Sequence, residues 1–278
     1  MDYIQRAIEK AREERRGKIS GLSDNDDAKS IDRPAEHSAV RVAAADPAGD
    51  SFSGSIDYTE TRVKAPDLQT LRDNRIVAGL PHVAEAEPYR QLRTQVLQKM
   101  RANNWRTLAI TSPTVDAGKT LTAVNLAVSL SMEVNQTVLL VDLDLRNPGI
   151  LRTFNIDTEH GLVDHLRGEV SVPDILVNPG YERLVILPGK ADKNYTSEIL
   201  TTPKMNELIA DLVSRYDSRI ILFDLPALLV NDDALVFTPY VDAALLVLEE
   251  GVTTPADINR SLQLLGSTNL LGTVMNKK

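Results

Sequence analysis

The sequence predicts an α/β fold, a doubly wound and mainly parallel sheet with helices on both faces. Short apolar runs, "TLAITS", "TVLLVD", "LVILPG", "RIILFD", "AALLVL" and "LGTVMN", recur along the chain. Nearly every position in them is apolar, which suits strands covered on both faces. Between the runs, "KTLTAVNLAVSLSM", "PKMNELIADLVSRY" and "PADINRSLQLLG" carry apolar residues at helical spacing. Alternation of the two patterns is the mark of a parallel sheet with crossover helices.

Taken in order, residues 1–16 place Ile4, Ala7, Ile8 and Ala11 on one face of a short amphipathic helix. So short a helix is marginal alone, so a solvated segment and a docking helix both fit. Residues 17–75 are rich in Ser, Asp, Ala, Gly and Pro, as in "AAADPAGDSFSGS", and read as flexible linker. The ordered domain is expected over 76–278. It opens with "EPYRQLRTQVLQKM", where Tyr89, Leu92, Val96 and Met100 share a helical face and Pro88 suits the first turn.

Composition narrows the function. Of 278 residues, 42% are hydrophobic, enough for a real core, and the net charge of −8 argues against a nucleic-acid partner. There is no cysteine, which excludes disulfides and thiolate metal sites and fits a cytoplasmic protein. The histidines, His37, His82, His160 and His165, form no metal-ligand pair. No apolar stretch is long enough to cross a bilayer, and the charged N-terminus lacks the core of a secretion signal.

The stretch "TSPTVDAGKT" ends like a phosphate-binding loop, although Pro113 stands where G-x-x-x-x-G-K-[ST] opens with glycine. Its setting is that of a P-loop NTPase: the run "TLAI" feeds the loop and a helix is expected from Lys119. Such a helix start aims backbone N–H groups at an anion, here from Val115, Asp116, Ala117, Gly118, Lys119, Thr120 and Leu121. Lys119 would reach the phosphates, Thr120 would offer its hydroxyl to Mg²⁺, and Gly118 lets the backbone come close. Proline at the first position loses one donor, but the amides nearest the helix do most of the cradling. Strand-end carboxylates complete the constellation. Asp142 and Asp144 close "TVLLVDLD", followed by Arg146, and Asp224 closes "RIILFD". In an open α/β sheet these ends face the ligand.

The loop, "VLLVDLDLR" and "IILFDLP", in that order, resemble the bacterial tyrosine kinases of capsule and exopolysaccharide export, built on the P-loop fold of MinD/ParA-type ATPases. The similarity runs from about Glu87 to Asn276 and includes an E-x-x-R-x-x-R helix, here Glu87, Arg90 and Arg93. The family's early loop lysine of the partitioning ATPases is replaced by Thr114. Stand-alone members linked to exosortase systems share the opening "MDYIQRAIEKARE". The resemblance implies a cytoplasmic ATP- and Mg²⁺-dependent tyrosine autokinase that regulates exopolysaccharide synthesis and export. Its activator would be a separate membrane chain-length determinant, or co-polymerase, that recruits it to the inner face of the membrane.

By the same resemblance, Lys119, Asp142, Asp144 and Asp224 are catalytic, Thr120, Asp142 and Asp224 hold the metal, and Asn276 reads adenine. Glu87, Arg90 and Arg93 would form a charged strip free to meet a neighbour in a ring. Members of the family end in a tyrosine-rich tail, whereas no tyrosine follows Tyr240 here. Two readings therefore stand: a kinase acting on itself or on a pathway protein, with Tyr58 the most accessible acceptor, and a nucleotide-controlled assembly module or ATPase.

Overall fold

The computed structural model describes residues 61–192, 196–214, 219–266 and 268–276. Eight strands form one sheet: β1 (Arg62–Val63), β2 (Thr107–Thr111), β3 (Thr137–Asp142), β4 (Val177–Asn178), β5 (Leu184–Leu187), β6 (Arg219–Asp224), β7 (Ala243–Glu249) and β8 (Asn269–Asn276). Their order is β1-β4-β5-β3-β6-β2-β7-β8. Only the β4–β5 contact is antiparallel. The six apolar runs are β2, β3, β5, β6, β7 and β8. Residues of β2 and β7 are buried throughout, as expected for strands with helices on both faces.

From β2 the chain crosses to β3 on one side, and from β6 it crosses to β7 on the other. The carboxyl ends around β2 thus lie at the point where the winding reverses, where such sheets bind ligands. Register brings the key positions level there: Ile110 pairs with Asp224, and Asp224 pairs with Asp142.

The helix Lys119–Ser131 is buried on nearly every face, with Thr122 through Ser131 all inaccessible. It lies between the sheet and the helix Glu87–Ala102, which turns Val96, Leu97 and Met100 inward. Both crossover helices expected later in the chain are present, at Pro203–Ser214 and Pro255–Leu265. The second starts at Thr254, whose hydroxyl and the Asp257 carboxylate cap each other's backbone N–H.

The linker boundary is corrected. The expected helix and linker up to residue 60 lie outside the described residues, but 61–75 are structured. There β1 pairs with β4, the helix Leu68–Asp73 buries Leu71, and Ile76 is fully enclosed. A two-residue strand and a six-residue helix are too short to leave a periodic pattern, so composition alone misread them. One buried side chain secures this strap. Asn125 accepts from the Val77 and Ala78 N–H groups at 2.8 and 3.0 Å and donates to the Arg75 carbonyl at 3.0 Å. Asn125→Ala would leave all three backbone groups unpaired, at a cost of about 3 kcal/mol. A fall in melting temperature of roughly 6–12 °C is expected in a thermal scan.

Candidate nucleotide site

The loop after β2 is braced before it reaches the phosphate position. The Thr111 hydroxyl donates to the Pro226 carbonyl at 2.7 Å, and the Leu228 N–H donates to the Ser112 carbonyl at 2.8 Å. Pro113 is buried, and its carbonyl accepts from the Leu229 N–H at 3.1 Å. The first loop position thus serves as a buttress against the segment after β6, a role that needs an acceptor and no donor.

Asp116 and Gly118 both take left-handed backbone angles, φ 61° and 84°, which turn the loop into the helix. No side chain caps that helix start, so its first-turn amides face the loop's concavity. A Cβ on Gly118 would stand 2.0 Å from the Asn276 amide nitrogen. The Asn276 side chain donates to the Ala117 carbonyl at 3.0 Å. The structure therefore brings the end of β8 onto the loop, and Asn276 is seen as a loop contact. Gly118→Ala would add left-handed strain and displace Asn276, weakening nucleotide binding about tenfold or more. Adding Asn276→Ala to that variant removes the clash, so titrations should show part of the affinity restored.

Three carboxylates converge on one lysine. Lys119 Nζ pairs with Asp144 at 2.7 Å and lies 3.4 Å from the Thr120 hydroxyl. Burial works against its charge, but Asp224, Asp144 and Asp142 outweigh burial and raise its pKa. Asp224 is fully buried, and neither of its oxygens accepts a hydrogen bond. Burial pushes it up to about 6, against the Lys119 ammonium and the nearby Thr120 hydroxyl.

Asp142 behaves differently. Its Oδ2 accepts from the Gly149 and Ile150 N–H groups at 3.0 and 2.9 Å, and its Oδ1 from the Asp144 N–H at 3.3 Å. It holds the turn that carries Asp144. Burial and the neighbouring Asp224 carboxylate push it up to about 8, against the pull of the Ile150 N–H.

Two contacts were not foreseen. Arg146 grips Asp233 through two nitrogens, at 2.7 and 3.2 Å, and the Thr196 hydroxyl meets both Asp233 oxygens at 2.9 Å. The "NDDAL" stretch carries no sign of this, because its partners are 37 and 87 residues away. The arginine strip is also corrected. Glu87 and Arg90 pair on the surface at 3.0 Å, but Arg93 is taken up within the chain. It binds Glu133 at 3.1 Å and the Ser129 carbonyl at 3.2 Å, tying its helix to the end of the buried helix Lys119–Ser131.

The P-loop fold implies nucleotide binding, and these residues fit it. A buried carboxylate without a partner, next to a lysine and a free helix start, is chemically incomplete until a cation and an anion fill it. Among the described residues no cluster of three or more His, Cys, Asp or Glu makes a ready metal cage.

Residues 106–246, from the foot of β2 into β7, match the AAA domain family. The chain belongs to this family. Its AAA domain is similar to the succinoglycan biosynthesis transport protein ExoP of Rhizobium meliloti, 32% identical over 74% of this chain and 26% of ExoP. The chain thus spans about a quarter of that relative. The tyrosine-protein kinase YwqD of Bacillus subtilis is 28% identical over 75% of this chain and 87% of YwqD. Among solved structures, the kinase domain of the Escherichia coli tyrosine kinase ETK superposes with a TM-score of 0.68 at 27% identity. It covers 78% of this chain and 89% of that domain. The resemblance to the bacterial tyrosine kinases is borne out, and so is the P-loop α/β fold.

Proposed function

We propose that the protein is a Mg-ATP-dependent protein tyrosine kinase serving exopolysaccharide or capsule synthesis and export. The observation that carries this is Asp224, a buried carboxylate with no hydrogen-bond partner, level with Asp142 and facing Lys119. The likeness to named tyrosine kinases over most of the chain supports the class of reaction. Bound Mg-ATP supplies a transferable phosphoryl group.

The chain's own residues do the rest. Amides from Val115 to Leu121 and the Lys119 ammonium would hold the phosphates, and Thr120 and Asp224 would hold the metal. Asn276, already on the loop, meets the base. Asp144 keeps Lys119 in place and Asp142 fixes the turn. Asp142 would also be the carboxylate to accept the acceptor's proton. Such transfer depends on positioning and charge neutralisation, and this cast suffices.

No helix among the described residues is long and apolar enough to cross a membrane. Recruitment would come from a membrane chain-length determinant. Glu87 and Arg90, paired with each other at the surface, would be left to meet a neighbouring copy. Arg90→Glu is expected to lower the assembly mass seen by light scattering with nucleotide present, without changing nucleotide affinity.

The deciding experiment gives the protein Mg²⁺ and labelled ATP and follows phosphotyrosine and free phosphate together. It is run with and without the cytoplasmic segment of the membrane partner. Phosphotyrosine is the expected product. Phosphate release alone would make the protein an ATPase switch, and absence of nucleotide binding would overturn the reading.

A further inference from the structure

The turn after β3, which carries Asp144, is tied twice to the segment that follows β6. At its base the Leu143 N–H donates to the Asp224 carbonyl at 2.9 Å. At its tip Arg146 donates to both oxygens of Asp233, at 2.7 and 3.2 Å. The Asp233 side chain is 1% exposed and that of Arg146 is 40% exposed. The carboxylate is therefore the fixed member, and the arginine comes to it.

Asp233 has a firm footing of its own. The Thr196 hydroxyl, from the helix Thr196–Leu200, lies 2.9 Å from both of its oxygens. The Asp233 N–H donates to the Asn231 side chain at 3.2 Å. The helix Asp233–Phe237 is seated by Phe237 against Phe223, with ring centroids 4.9 Å apart. Phe223 immediately precedes Asp224. Asp224 and Asp233 thus stand on one packed unit, and the two-point arginine contact carries that unit's position across to the turn.

Arg146 lies two residues beyond Asp144. Asp144 Oδ1 accepts from the Asn147 N–H at 3.2 Å, and its Oδ2 meets Lys119 Nζ at 2.7 Å. A continuous path of contacts runs from Asp233 through Arg146 and the turn to Asp144 and Lys119.

We propose that Asp233 is a positioning residue for phosphoryl transfer, acting through Arg146 to fix Asp144 and, through it, the Lys119 ammonium. The inference rests on the nucleotide reading above. Asp233 takes no part in holding the nucleotide, so its loss should lower kcat and leave KM nearly unchanged. Misplaced groups cost more in the transition state than in binding.

The test is a double-mutant cycle on the full chain with Mg-ATP, run below each variant's melting temperature. Turnover is counted as terminal phosphate lost from ATP to any acceptor. Asp233→Asn keeps the shape and should lower kcat about fivefold or more, with KM within about threefold of the wild type. In an Arg146→Ala background the same substitution should change kcat by less than about twofold. An equal loss in both backgrounds, an unchanged kcat, or a rise in KM alone would overturn the proposal.

A second measurement needs no turnover. In ligand-free protein carrying isotope-labelled lysine, the Lys119 side-chain NMR signal is identified by its absence in Lys119→Arg. It should move in Asp233→Asn and in Arg146→Ala, the latter altering an exposed side chain and so serving if the former fails to fold. An unmoved signal would overturn the proposal. Phosphate release without phosphotyrosine would overturn the kinase reading and leave this inference to the cycle. A wild type that turns over no ATP would also overturn that reading, and the Lys119 signal would then judge this one.

Discussion

Lys119→Ala is expected to abolish nucleotide turnover and to weaken nucleotide binding at least a hundredfold. The lysine pairs with Asp144 at 2.7 Å, and Asp224, Asp144 and Asp142 raise its pKa against burial. Removing it takes away the phosphate's charge-assisted donor and leaves three carboxylates facing one another. The variant should also lose stability, because breaking a buried pair from one side costs about 3 kcal/mol or more. That loss depends on pH. Without Lys119 the carboxylates hold their protons to higher pH, so destabilisation should be greatest near pH 8 and smaller near pH 5. Isothermal titration with the nucleotide and thermal unfolding across that range would check both expectations. Unchanged nucleotide affinity would remove Lys119 from the site.

The second large effect runs in opposite directions for stability and function. Asp224 is pushed from 3.8 to about 6 in the folded chain, chiefly by burial. A carboxyl whose folded pKa is raised contributes stability below pH 3.8 and loses it progressively as pH rises to about 6. Above pH 6 the ligand-free protein therefore carries a buried charge that the nearby Lys119 ammonium and Thr120 hydroxyl offset only in part. Asp224→Asn removes that charge at nearly constant shape. The variant should be more stable than the wild type at pH 7.5 by about 2 kcal/mol, a rise in melting temperature of roughly 4–8 °C. At pH 4 the two should melt together.

The same change should abolish the stabilisation expected from Mg-nucleotide in the wild type, because it removes the buried carboxylate proposed to hold the metal. A variant that melts lower at pH 7.5, or that keeps its Mg-nucleotide shift, would remove Asp224 from the metal site. The pairing of a more stable apo protein with lost ligand response is characteristic of a residue kept for binding at the expense of the fold.

Much of the site was legible because its residues are local in sequence. Gly118, Lys119 and Thr120 are consecutive, and Asp142, Asp144 and Asp224 each close an apolar run. A strand of buried residues followed by a polar one announces a sheet edge. The parallel sheet then carries every such end to the same side. What was not legible involves partners distant in sequence. Arg93 reads as a free surface arginine in "RQLRTQ", but Glu133 and the Ser129 carbonyl lie beside it once two helices pack. Asp233 reads as one of two acids in a turn until Arg146 and Thr196 close on it. Asn276 was expected to meet adenine, but its bond to the Ala117 carbonyl shows only once β8 pairs with β7.

The sequence by itself determined the fold class, the six main strands, and the loop and strand-end carboxylates proposed to serve a nucleotide. Periodicity and composition act over a few residues, and those features are built over a few residues. Only the tertiary structure decided which groups were already engaged. It assigned Pro113 to a buttress, Asp142 to the turn that carries Asp144, and Arg93 to the helix pair, and it left Asp224 without a partner. The physical reason is that hydrogen bonding and burial are pairwise and largely long-range in sequence. A side chain's chemistry is set by what the folded chain places beside it, and only the packed structure contains that neighbour.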